Sequence, residues 1–214
     1  MRNWHLYLQA HHPPSIRSDE PEYCKEVRRA IDKIPDSWNR EGRILSLGCG
    51  DGYEMSVLEE KGFKRIIGVT NDNREKIVNP DLDIVLCDMH DMLFADNYFN
   101  FVYSKETLEH SIAPYPLLCE LNRVMKRDGE FLHFISSSME KQREIYHFSA
   151  FPDWLWIDLF HKTGFEVKTI YEHSIQLGFY GIKTKNIDFF EKPEHYSYDL
   201  NGLINNIKRV KLEL

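Results

Sequence analysis

The stretch RILSLGCGDGYEM, residues 43–55, sets three glycines within five positions directly after an apolar run. RILSL (43–47) reads as a short buried strand, and Asp51 to Lys61 as a helix that Gly62 ends. Glycine between a strand and a helix has a physical use. Without a Cβ the backbone can turn tightly and come close to a neighbour, and the following helix start offers unsatisfied N–H groups to an anion. The spacing here is G-x-G-x-G, at Gly48, Gly50 and Gly52. A dinucleotide fingerprint, G-x-G-x-x-G, would place its third glycine where Tyr53 stands, at the expense of close helix–strand packing. A strand-to-helix turn without a ligand is the competing reading.

Working outward, strand and helix signals alternate. EYCKEVRRAIDKI (22–34) places Val27, Ile31 and Ile34 at helical spacing before Pro35. After the glycine stretch come RIIGVT (65–70) as a strand and DNREKIV (72–78) as a short helix. DIVLCD (83–88) and YFNFVYS (98–104) follow as strands. PLLCELNRVMKR (116–127) reads as a helix closed by Asp128-Gly129, EFLHFIS (130–136) as a strand, and PDWLWIDLFHKTG (152–164) as a helix opened by proline. FEVKTIYE (165–172) and QLGFYGIKTK (176–185) are two further strands joined only by HSI. So short a link cannot hold a crossover helix, and it dictates an antiparallel hairpin. The pattern predicts an α/β fold: a Rossmann-like, doubly wound sheet of seven strands, mostly parallel, with an antiparallel C-terminal edge hairpin. Residues 1–42 are expected to form an arm and a helix packing on the core, 43–185 the core domain, and 186–214 a tail. In such open sheets ligands sit beyond the carboxyl ends of the strands, where the strand order reverses, and the glycine loop falls there.

With 214 residues the chain suits one domain with a sizeable core. Its four cysteines (Cys24, Cys49, Cys87, Cys119) form no C-x-x-C pair, which points away from a zinc ribbon or disulfide framework and towards a reducing, cytoplasmic setting. The N-terminal MRNWHLYLQAHHPP lacks the sustained apolar core of a signal peptide, and no apolar run approaches a membrane span. A net charge of −7 without a Lys/Arg block disfavours a broad nucleic-acid surface. No metal is expected, since His11 and His12 have no ligand partners spaced with them.

LSLGCGDGYEM, IIGVTNDN, LCDMHDMLFADNYFNFVYSKETLEH and LCELNRVMKRDGEFLHF, in that order and spacing, resemble the class I S-adenosylmethionine-dependent methyltransferases. The likeness is to the small-molecule-type domain, with its L-D-x-G-C-G-x-G, acidic-x-x-x-L-P-F, E-H and E-x-x-R-x-L-K-P-G-G patterns, and WLWIDLFHKTGFEV resembles that group's late helix. It runs from about Arg43 to Lys185. The resemblance implies S-adenosyl-L-methionine as cofactor. By it, Gly48, Cys49, Gly50 and Gly52 pass under the methionine part, and Thr70, Asn71 and Asp72 stand where the ribose is held. Asp88 would accept from the adenine amine, with the Met89 amide and side chain at the ring, and Ser104 and Lys105 would meet the methionine amine. Ser46 and Thr70 depart from the pattern, which has an acid at each place.

The residues also admit plainer roles. Asp88 could be a strand end or cap; Cys49 reads as a spacer rather than a nucleophile. Glu106, Glu109 and His110 either face solvent or line an acceptor pocket, and Tyr146 and His147 are ordinary loop residues or a lid over it. Arg123 is expected to pair with Glu120, and Trp154 and Trp156 to pack. Transfer from a sulfonium depends mainly on in-line alignment; His110 or His147 could serve as general base where the acceptor must lose a proton. SKET (104–107) stands where DNA amino-methylases carry Asn/Asp-Pro-Pro-aromatic, which disfavours a nucleic-acid base as acceptor and leaves a small molecule, a sugar or a protein side chain. An inactive binding or structural protein on the same fold is the alternative.

Overall fold

In the computed structural model, residues 17–71, 79–136, 147–187 and 199–212 are described. In chain order the elements are α1 (Pro21–Ile31), β1 (Arg43–Leu47), α2 (Tyr53–Glu60), β2 (Arg65–Thr70), β3 (Ile84–Leu86), β4 (Phe99–Lys105), α3 (Pro114–Val124), β5 (Met125–Ser136), α4 (Asp153–Lys162), β6 (Phe165–Glu172), β7 (Gln176–Lys183), α5 (Leu200–Asn205) and β8 (Lys208–Lys211). They build one sheet in the order β3-β2-β1-β4-β5-β7-β6-β8. β1 pairs in parallel with both β2 and β4, so the strand order reverses at β1 and a crevice opens beyond its carboxyl end.

Alternation along each strand splits the core into two layers. Leu45, Leu47 and Val102 face α3 and α4 together with Leu117, Leu121, Ile157 and Phe160. Ile44, Phe101 and Tyr103 face α1 and α2 together with Val27, Ile31, Met55 and Leu58. β1 is therefore buried on both faces, which is why its sequence is a near-continuous apolar run. Gly68 lets α2 sit close on the sheet, since a Cβ there would meet Met55 Sδ at 2.4 Å and Cys49 Sγ at 2.6 Å.

The sheet has eight strands rather than the expected seven. The hairpin forms as its short link dictates, with β7 antiparallel to both β5 and β6. β8, from the segment expected as a tail, then adds in parallel outside β6. α2 begins two residues later than expected because Gly52 is left-handed (φ 87°) and Asp51 Oδ1 accepts the Tyr53 N–H. α3 stops at Val124 because Met125 is fully buried and already pairs with Phe99, so the expected Asp128-Gly129 turn is a bulge inside a long β5. β3 covers only three of its expected six residues. The helix expected over 72–78 lies outside the described residues, as do Asp72, Tyr146, His11 and His12.

Candidate functional site

The glycine loop leaves β1 with Gly48, Gly50 and Gly52 all at positive φ (71°, 54° and 87°). The Gly48 and Cys49 N–H groups both donate to Val69 O, at 2.8 and 3.0 Å, which fastens the loop to the end of β2. The close approach at Gly48 is made by the protein itself. A Cβ there would lie 2.4 Å from Thr107 Oγ1, whose hydroxyl reaches Leu47 O (3.1 Å) and Lys105 O (3.2 Å). Cys49 is buried in the α1–α2 layer. Asp51 is buried too: Oδ1 caps α2, and Oδ2 accepts the Ser18 N–H at 3.0 Å, which ties the short 3-10 turn at 17–19 to the loop. The amides of Gly50 and Asp51 take no part in these bonds.

Across the crevice stand the ends of β2 and β3. Thr70 is buried and its carbonyl accepts from Cys87 N–H, whereas Asn71 is exposed. Asp88 shapes the turn that follows: Oδ1 accepts from the His90 N–H and lies 2.8 Å from His90 Nδ1. The other ring nitrogen, His90 Nε2, lies 2.7 Å from Ser111 Oγ, and Ser149 Oγ donates to Ser111 O at 2.5 Å. A proton on Nδ1 faces the carboxylate, so Nε2 accepts from the serine in the neutral ring. Met89 packs against the α3–α4 layer.

At the end of β4 a charge is held inside the protein. The Lys105 side chain is fully buried, with Glu26 at 3.3 Å, Glu106 at 3.5 Å and the Tyr23 ring centroid at 5.0 Å. Gln176 Nε2 donates to Glu106 Oε1 at 2.7 Å. Glu54, in the first turn of α2, accepts from Tyr23 Oη at 3.3 Å; burial pushes its carboxyl up to about 8, with Lys105 pulling the other way. Glu54 Oε2, Tyr103 Oη and Ser46 Oγ are all buried without a hydrogen-bond partner among the described residues. Ser104 Oγ is 2.8 Å from Nδ1 of His133, and burial lowers that ring to about 3, so it stays neutral.

The 3-10 turn Leu108–His110 brings two expected residues together: the His110 and His147 rings meet edge to face, centroids 4.8 Å apart. Glu109 beside them is fully buried, accepts the Ser136 N–H at 2.7 Å, and is raised to about 7 by burial. Its backbone carbonyl accepts from Ser149 N–H. The turn after β4 and the segment before α4 are thereby locked side by side at the carboxyl end of the sheet.

Residues 45–133, which include the glycine loop, the Asp88 turn and β4, match the family described as a methyltransferase domain. Over that span the chain is similar to a methyltransferase domain, and its fold is that of S-adenosylmethionine-dependent methyltransferases. It is 31% identical over 96 residues to cycloartenol-C-24-methyltransferase 1 of Oryza sativa subsp. japonica, a match covering 39% of this chain and 27% of that protein. The chain thus spans about a quarter of the length of the curated relative it matches. Among solved structures it resembles a methyltransferase complex with a methyltransferase activator of Haloferax volcanii, at TM-score 0.65 and 18% identity, covering 74% of this chain and 89% of that one. It also resembles 1,6-didemethyltoxoflavin-N1-methyltransferase of Burkholderia thailandensis with S-adenosylhomocysteine bound, at TM-score 0.63 and 15% identity, covering 83% of this chain and 94% of that one. At these identities the structural likeness speaks for the fold.

Within the matched domain, sequence reasoning singled out the glycines, Asp88, Lys105, Glu109 and the two histidines, and passed over Asp51, Thr107 and Glu54. Asp51 was visible as an acid two residues before α2, a capping signal. Thr107 left no signal, because its role depends on Gly48, far earlier in the chain. Glu54 looks like an ordinary helix-surface acid in sequence, and only the fold buries it; Glu109, expected to face solvent or line an acceptor pocket, is buried as well. The expected Arg123–Glu120 pair is present at 2.7 Å, and Arg123 Nη1 also donates to Phe94 O and Asp96 Oδ1. Trp156 is core, while Trp154 stays half exposed. Among the described residues no group of histidine, cysteine or acidic side chains is arranged to hold a metal ion, and no helix is long and apolar enough to cross a membrane.

Proposed function

We propose that this chain transfers a methyl group from S-adenosylmethionine to a small-molecule acceptor. The observation that carries this reading is the left-handed glycine loop at the point where strand order reverses, with the Asp88 turn across the same crevice. The chain's donor and acceptor set fits such a ligand. The Gly50 and Asp51 amides, at the start of α2, would take its carboxylate, Asn71 its ribose, and Asp88 with Met89 its base. Bound there, the cofactor supplies a methyl already activated by the positive sulfur. What this chain adds is placement: the loop orients one end, the Asp88 turn the other, and the packed core excludes water beneath. Where the acceptor must lose a proton, the His110–His147 pair would receive it, with Glu109 behind them as a buried carboxyl able to share it near neutral pH. The names of the rice relative and of the Burkholderia structure both specify small-molecule acceptors, which favours that class over a sugar or a protein side chain.

A second reading, an inactive binding protein, draws on specific features. Ser46 and Thr70 bring no acid to the crevice, and Asp88 Oδ1 is already engaged by His90. Thermal unfolding with S-adenosylmethionine, S-adenosylhomocysteine and NAD separates the two, since a ligand that binds only the folded state raises its melting temperature. Methyl transfer requires a rise with the first two and none with NAD, followed by transfer of label to a low-mass fraction. A rise without any transferable label supports the binding protein, and no rise at all removes both.

A further inference from the structure

A groove of about 390 Å3 opens between α1, the β6–β7 turn and β8, on the α1–α2 side of the sheet. Arg29 lines it from the last turn of α1, Lys33 from the turn that follows, and Lys211 from β8. Several described cations elsewhere have a carboxylate: Arg28 pairs with Glu60, Lys61 with Asp32, Lys64 with Glu41, Lys162 with Asp158, Arg209 with Glu172 and Asp153. Arg29, Lys33 and Lys211 form no ion pair among the described residues. Two nearby described acids are engaged elsewhere. Glu26, on the groove wall, points to Lys105 at 3.3 Å, and Glu172, the register partner of Lys211, holds Arg209 at 2.7 Å.

The dipole of α1 would favour Arg29 in its last turn, but it says nothing about Lys211. That side chain arrives from the far end of the chain only because β8 pairs in parallel with β6 and the Leu212 N–H then donates to Glu172 O. Like charges brought together repel, so in a chain of net charge −7 the arrangement runs against the general balance. The groove also offers a neutral donor: His173 Nδ1 accepts from the Ile175 N–H, which leaves the proton of the neutral ring on Nε2. Its floor is apolar, with Ala30, Phe134 and Leu212. The volume lies within the range of small-molecule sites.

The geometry points to a binding site for a small organic oxyanion, a carboxylate or phosphate carried on an apolar ring, with the anion between Arg29, Lys33 and Lys211 and the ring over Phe134. The assignment of this groove does not rest on the methyl-transfer reading. Its test uses the whole chain titrated with phenyl phosphate and with benzoate, against inorganic phosphate and sodium chloride at matched ionic strength, read by NMR and thermal unfolding. Saturable binding of one ring-bearing anion is expected, with shifts at α1 and β8 and at least tenfold weaker binding in Lys33→Gln/Lys211→Gln. Whichever of the two anions binds more tightly assigns the head group. Lys33→Arg/Lys211→Arg keeps the binding, and an unchanged melting temperature without ligand shows that both variants fold. Equal affinity in wild type and the Gln variant, effects matched by sodium chloride, or no saturation by either anion at about 10 mM would overturn the site. S-adenosylhomocysteine, titrated in parallel, reports on the cofactor crevice alone.

Discussion

Replacing Glu54 by Gln is expected to remove a pH-dependent loss of stability. Burial raises the Glu54 carboxyl from its ordinary value near 4.5 to about 8, so the folded protein prefers it protonated. Its contribution is therefore intact below about pH 4.5 and is lost as the pH rises through 8, because the unfolded chain releases this proton earlier. At about 1.4 kcal/mol per pH unit, the loss accumulates to roughly 4 kcal/mol between about pH 5 and pH 9. Gln keeps an oxygen for the Tyr23 hydroxyl and has no proton to lose. Urea unfolding followed by tryptophan fluorescence across that window gives the difference between variant and wild type. Glu109, raised to about 7, and His133, lowered to about 3, titrate in both proteins and cancel in that difference. The variant is expected to gain steadily on the wild type as pH rises. A difference that stays within about 1 kcal/mol over the whole window would refute a buried, uncompensated Glu54.

Gly48→Ala is expected to cost about 2–4 kcal/mol, from a left-handed backbone and a Cβ that would lie 2.4 Å from Thr107 Oγ1. Adding Thr107→Ala recovers the steric part, so a double-mutant cycle should show a coupling of about 1 kcal/mol or more between these two positions distant in the chain. Arg123→Met is expected to cost about 2–4 kcal/mol in urea unfolding, since it strands Glu120 and the carbonyls of Phe94 and Met92. Arg123→Lys should restore less than half of that, lacking the fork that reaches several acceptors at once. The His133 ring is expected to stay unprotonated until about pH 3, and NMR signals from it that titrate near 6.5 would contradict its burial beside Ser104.

The parts of the fold that were legible in the sequence are those set by local physics. β1 and β2 fall on the residues their apolar runs mark, because a strand buried on both faces needs little beyond its own composition, and β6 falls on residues whose apolar positions alternate. The β6–β7 hairpin follows from a link too short for anything else. β8 was not legible: KRVK carries three cations in four residues, and it becomes a strand only because the edge of β6 is there to pair with. The site divides the same way. The glycines announce a left-handed turn, and all three are left-handed, but the atom that comes close to Gly48 is Thr107, a contact no local pattern encodes. Asp88 was read as a ligand residue or a cap, and the structure shows it capping the His90 turn. His110 and His147 meet because the turn after β4 is tied to the segment before α4 through Glu109 and Ser149, a link made across the sheet.

Amide chemical shifts recorded while S-adenosylhomocysteine is added bear most directly on where a cofactor sits. The largest changes are predicted at Gly50, Asp51, Asn71 and Met89, saturating together at one molecule per chain, with Asp88→Asn weakening the binding. Changes confined to residues away from the ends of β1, β2 and β3, or none at saturating ligand, would contradict the assignment of that crevice.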